Sequence, residues 1–169
     1  MIKPFNGKTP KVAGSAWVSE TAYVIGDVGI GEDCCIWPGV VLRGDFAPIT
    51  IGNNSDIEDN SVLHVKAAMD IGENVVIGHN VVLHCTKIGD NTIIGNNATV
   101  LDEAEIGAKC VIAAGAVVTP GSIIPDESFV TGIPAVVKRK VNAAQAELVA
   151  EHYRYYTKEY KKLYKDWHI

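Results

Sequence analysis

The sequence predicts an all-β chain wound into a parallel β-helix and closed by one C-terminal α-helix, on three observations. A branched aliphatic residue recurs at every sixth position through most of the chain. The core this implies is aliphatic, because hydrophobic residues make up 47% of the sequence and aromatic residues only 7%. Where the repeat stops, a stretch free of Gly and Pro carries apolar residues at three- and four-residue spacing.

The repeat begins at Val12 and runs through Val18, Val24, Ile30, Ile36 and Leu42. Its register jumps and resumes at Ile51, Ile57 and Leu63, then again at Ile71, Ile77 and Leu83. It shortens by one residue and continues through Ile88, Ile94, Val100, Ile106, Ile112, Val118, Ile124, Val130 and Val136. A period of six is neither the 3.6 of an amphipathic helix nor simple alternation. It fits a short strand and a turn, with one inward aliphatic per segment and small residues where the chain bends. In this the sequence resembles the hexapeptide-repeat proteins. The resemblance implies three segments to each triangular coil, about seven coils, and a left-handed wind, an exception to the right-handed crossover rule.

The β-helix is expected over about 12–141. Asn142 reads as an N-cap with Gln145 three residues on, the spacing of a capping box. The helix is expected over about 142–165, with Leu148, His152, Tyr153, Tyr156, Tyr160 and Leu163 forming a stripe that packs along the prism. A chain of 169 residues fits a single domain, 1–169.

The formal net charge of −5 argues against a nucleic-acid surface. The short basic runs Lys138-Arg139-Lys140 and Lys161-Lys162 read as solvated faces. No apolar stretch reaches the roughly 18 residues of a membrane span, and the segment from Met1 to Lys8 lacks a signal-peptide core. Cys34, Cys35, Cys85 and Cys110 form no CxxC pair and no disulfide framework. A cytoplasmic protein is therefore expected, and Cys85 reads as a small apolar filler.

With three segments to a coil, leaders three apart share a face. One face is led by Val24, Leu42, Leu63, Leu83, Val100, Val118 and Val136. The residues that follow these leaders point outward, so Arg43, His64 and His84 form a vertical stack. Neighbouring strands lie roughly 4.8 Å apart, close enough for two imidazoles to converge on one ion. His79 follows Ile77 by two and falls on the preceding face of the same coil, with Asp59 below it. It cannot reach the pair on its own chain, whereas a trimer of prisms would bring it to a neighbour's pair. Three histidines and an open fourth position are a standard catalytic zinc set.

Leu42-Arg43-Gly44-Asp45, Ile57-Glu58-Asp59-Asn60-Ser61-Val62-Leu63-His64 and Ile77-Gly78-His79-Asn80-Val81-Val82-Leu83-His84 resemble the signature of γ-class carbonic anhydrases. The resemblance runs from Pro10 through the C-terminal helix. It implies a homotrimer whose metal ligands are His64 and His84 of one chain and His79 of its neighbour. It implies Zn2+ as cofactor, with Fe2+ or Co2+ as further candidates, and reversible hydration of carbon dioxide to bicarbonate. Arg43 and Asp45 match a pair that bridges subunits beside the site, and Tyr153 matches a helix tyrosine that approaches it. Two departures bear on activity. The family usually carries a glutamine at the position of Glu58, and often an asparagine at that of Asp56. The stretch from Val65 to Asp70 lacks the acidic loop that supplies a proton shuttle. A metal-dependent acyl-CoA thioester hydrolase, a hexapeptide acyltransferase and a non-catalytic metal-binding trimer are the alternatives.

Overall fold

The structure, a computed structural model, describes residues 1–142 together with Ala144, Glu159, Lys162 and Leu163. Branched aliphatic residues favour the extended backbone, and each leader sits in a short strand, commonly of two residues, such as Val76–Ile77 or Val82–Leu83. Parallel pairing stacks these strands into three faces, a β-solenoid of about seven turns.

On the first face Val24, Leu42, Leu63, Leu83, Val100 and Val118 pair in sequence. The second face pairs Val12, Ile30, Ile51, Ile71, Ile88, Ile106 and Ile124. The third pairs Val18, Ile36, Ile57, Ile77, Ile94, Ile112 and Val130. The register jumps after Leu42 and Leu63 and the short segment after Leu83 therefore fall at one corner, between the first and second faces. Leaders from Val24 to Val130 are at most 7% exposed. Each such side chain contributes about 1.5–3 kcal/mol of burial.

The corners depend on residues that accept a left-handed backbone. The third residue after a leader takes positive φ at Asp33, Asn54, Asn60, Asn74, Asn80, Asn91 and Asn97. Asn and Asp tolerate that region better than other non-glycine residues. Polar side chains at the inward corner position are paired between coils. The Ser61 hydroxyl donates to the Gly78 carbonyl at 2.7 Å and accepts from the Val81 N–H at 3.0 Å.

Both ends depart from the repeat. Ile2–Lys3 adds a strand beside Val24 and Ile25. At the other end Val136 does not lead a further rung. Ala135–Lys140 turns back antiparallel against Ser128–Gly132, with Val136 opposite Thr131 and 46% exposed. Of the helix expected over 142–165, Ala144, Glu159, Lys162 and Leu163 are helical, and Lys162 Nζ pairs with Glu159 at 2.8 Å. The remainder of that expected helix, Tyr153 included, lies outside the described residues. No helix among the described residues is long and apolar enough to cross a membrane.

Candidate metal centre

The first-face register sets the centre. Arg43 pairs with His64, and because Leu63 pairs with Leu83, His84 stands one coil above His64. Their ring centroids are 5.3 Å apart with an interplanar angle of 79°. The His84 N–H donates to the Val100 carbonyl at 2.9 Å, so the stack is tied to the coil above.

The long corner after Leu42 folds Asp45 and Phe46 back over His64. Asp45 Oδ1 lies 3.2 Å from His64 Nε2, while its other oxygen lies 3.8 Å from Arg43. Phe46 is 77% exposed, yet it approaches the His64 ring edge-on at 5.8 Å. His64 Nε2 is buried, with Asp45 Oδ1 beside it at 3.2 Å and poorly aligned for a hydrogen bond. Burial first, then the Arg43 guanidinium, holds the His64 pKa below its ordinary 6.5, with Asp45 opposing. Two imidazoles stacked one coil apart, one of them with a buried Nε2 beside a carboxylate, are a donor set that fits a metal ion.

His79 stands on the third face, in the turn after Ile77. Gly78 is required there, since a Cβ would run into Asn96 Oδ1 of the coil above. That oxygen accepts from the His79 backbone N–H at 3.1 Å and fixes the turn. The ring lies between two carboxylates, with Asp59 Oδ2 3.1 Å from Nδ1 and Glu58 Oε2 3.3 Å from Nε2. Burial raises the Glu58 pKa and the Asp59 charge adds to the rise, while His79 opposes it. Behind this cluster Asp56 is buried and accepts from the Trp37 indole N–H. Its pKa is pushed up from 3.8 to about 7, first by burial, with Glu58 and Asp59 adding and Trp37 opposing.

Arg43, Asp45, His64 and His84 thus gather on the first face, whereas Glu58 and His79 gather on the third. Among the described residues of one chain, no three His, Cys, Asp or Glu side chains form a metal-holding group. Cys85, beside His84, is fully buried and its thiol is pushed up to about 12 by that burial, so it is an inert filler. Sequence reasoning missed Asp102, whose Oδ1 lies 3.5 Å from His84 Nδ1. The signal was its place two residues after Val100, the first-face leader above Leu83.

A family model for the bacterial transferase hexapeptide (six repeats) matches residues 69–102 and 85–120. A solved hexapeptide transferase family protein from Anaplasma phagocytophilum is 35% identical, with a TM-score of 0.88 over 94% of this chain and 97% of that one. An acetyltransferase candidate from Bacillus cereus is 34% identical, with a TM-score of 0.90 over 96% of this chain and 97% of that one. The chain belongs to the hexapeptide-repeat family. A carbonic anhydrase from Geobacillus kaustophilus is 52% identical over 64 residues, 38% of this chain and 35% of that relative. The matched stretch thus spans about a third of that curated relative, and over it the chain is similar to a carbonic anhydrase.

Proposed function

We propose that the protein is a metal-dependent lyase that hydrates carbon dioxide reversibly, at a site shared between subunits of a homotrimer. One observation carries the reading: His64 and His84 stack on the first face, with His64 Nε2 buried beside Asp45, while His79 stands on the third. The shared site takes His64 and His84 from one chain and His79 from the next. Three imidazoles with an open fourth position suit Zn2+, and Fe2+ or Co2+ also accept them. Such an ion, when bound, makes water acidic enough to supply a nucleophile near neutral pH.

The chain's own residues do the rest. Arg43 and Asp45 pair beside His64, and Asp45 holds negative charge against that ring. Phe46 gives the centre an apolar wall suited to a small apolar gas. Glu58, with its carboxyl raised by burial, stands 3.3 Å from His79, where its charge bears on the centre. The likeness to the Geobacillus kaustophilus carbonic anhydrase supports this reading.

Light scattering with metal analysis should find a trimer holding roughly one ion per chain. Anaerobic stopped-flow assays with Zn2+, Fe2+ and Co2+ should find carbon dioxide hydration. A monomer with full metal occupancy would overturn the reading.

The transferase names of the Anaplasma phagocytophilum and Bacillus cereus relatives favour a second reading, acyl transfer from a coenzyme A thioester. There one histidine would serve as general base without a metal. Acetyl-CoA turnover that needs an acceptor and survives a chelator would favour it. Hydrolysis that needs the metal and no acceptor would instead indicate a thioester hydrolase.

A further inference from the structure

We propose that Asp102 is a positioning residue for His84: it accepts a hydrogen bond from the Nδ1–H, fixes the ring in one tautomer and leaves Nε2 free to bind a metal ion. The inference rests on the metal reading above and adds a residue to it.

Asp102 comes from the coil above His84. Leu83 pairs with Val100, which sets Leu101 over His84 and brings Asp102 to the corner beyond it. From there Asp102 Oδ1 lies 3.5 Å from His84 Nδ1. The two residues line one pocket of about 190 Å³ together with Lys66 and Thr86.

The corner that carries Asp102 is held on both sides. The Ala104 N–H donates to the Leu101 carbonyl at 3.2 Å, and the Gly121 N–H donates to the Asp102 carbonyl at 2.9 Å. Glu103 follows with φ of 59°. The backbone beneath Asp102 is thus held in place beside His84.

A neutral imidazole carries one N–H and one lone pair. With the proton on Nε2, the Nδ1 lone pair would face the Asp102 carboxylate and repel it. With the proton on Nδ1, the ring donates towards Asp102 and Nε2 keeps the lone pair that a metal ion needs. Ligating histidines characteristically give their second N–H to such a partner, and losing it lowers metal affinity by about 10- to 100-fold. His79 Nδ1 likewise faces an aspartate from an adjacent coil, Asp59 Oδ2 at 3.1 Å, with Glu58 Oε2 3.3 Å from its Nε2.

Two measurements test this on the full chain. In metal-free protein labelled with 15N-histidine at pH 8.5, with His84 assigned from the His84→Gln variant, the two-bond proton–nitrogen spectrum should give the Nδ1–H form for His84. Asp102→Ala should shift it towards the Nε2–H form. Zinc affinity, read by competition with a chromophoric chelator, should fall by about 10- to 100-fold in Asp102→Ala. Asp102→Asn, which keeps an acceptor oxygen, should recover most of the loss. An Nε2–H tautomer in the unsubstituted protein, or wild-type zinc affinity in Asp102→Ala, would overturn the role given to Asp102. Failure of the unsubstituted protein to take up zinc at all would instead overturn the metal reading.

Discussion

His84 stands one coil above His64, with ring centroids 5.3 Å apart and planes at 79°. The arrangement follows from strand register alone, since Leu63 and Leu83 are paired neighbours on the first face. Two imidazoles so placed can share an ion, while His79 is held on the third face by the turn after Ile77.

The Glu58 carboxyl is predicted to limit turnover. It lies 3.3 Å from His79 Nε2, at the position where the resemblance to γ-class carbonic anhydrases implies a glutamine. A carboxylate there adds negative charge to the centre, and negative charge disfavours ionisation of any nearby acid. Glu58→Gln removes the charge and keeps the size of the side chain. Carbon dioxide hydration should rise at unchanged metal content. An equal or lower rate would assign Glu58 to proton acceptance instead.

Asp56 is predicted to make stability fall as pH rises. Its carboxyl is pushed up to about 7 in the folded chain from an ordinary value of 3.8, chiefly by burial. Between those values the unfolded chain has released a proton that the folded chain retains, so each step up in pH favours unfolding. The stabilisation is complete below pH 3.8 and is lost as pH passes 7, a difference of about 4 kcal/mol per chain. Asp56→Asn keeps an acceptor for Trp37 and removes the ionisation. Its apparent Tm should exceed that of the unsubstituted protein at pH 8, and the gap should close towards pH 4. A gap independent of pH would contradict this account.

Ser61 is predicted to hold the turn that carries His79. Its hydroxyl joins the Gly78 carbonyl to the Val81 N–H inside the coil. Ser61→Ala leaves two buried backbone groups without that partner, at a cost of about 1–3 kcal/mol each. The urea midpoint should fall, and zinc affinity should fall with it. A lower midpoint at unchanged zinc affinity would mean that the turn keeps its shape without the serine.

Much of this was legible in the sequence because the inward position of a β-helix is the most constrained one. The leaders from Val24 to Val130 are buried, and the register jumps after Leu42 and Leu63 leave the faces aligned. Val136 was misread because it falls six residues after Val130, and a period cannot tell the next rung from a strand that turns back. Pro134, which has no N–H to give a ladder, was the available signal. The contact between Phe46 and His64 was not legible, since the path of the chain between Leu42 and Ile51 is not set by the repeat. Asp102 was legible only through register, because nothing in its local sequence marks it as a partner of His84.

The measurement that tests the shared centre most directly is complementation between two variants that each lack one histidine. His64→Ala and His79→Ala chains are mixed, unfolded and reassembled, and metal bound per trimer is counted. A His79→Ala chain keeps His64 and His84, and a His64→Ala neighbour supplies His79, so mixed trimers should regain complete sites. The matched mixture of His64→Ala with His84→Ala should regain none, because that pair must come from one chain. Recovery in both mixtures, or in neither despite confirmed subunit exchange, would contradict the assignment of ligands to chains.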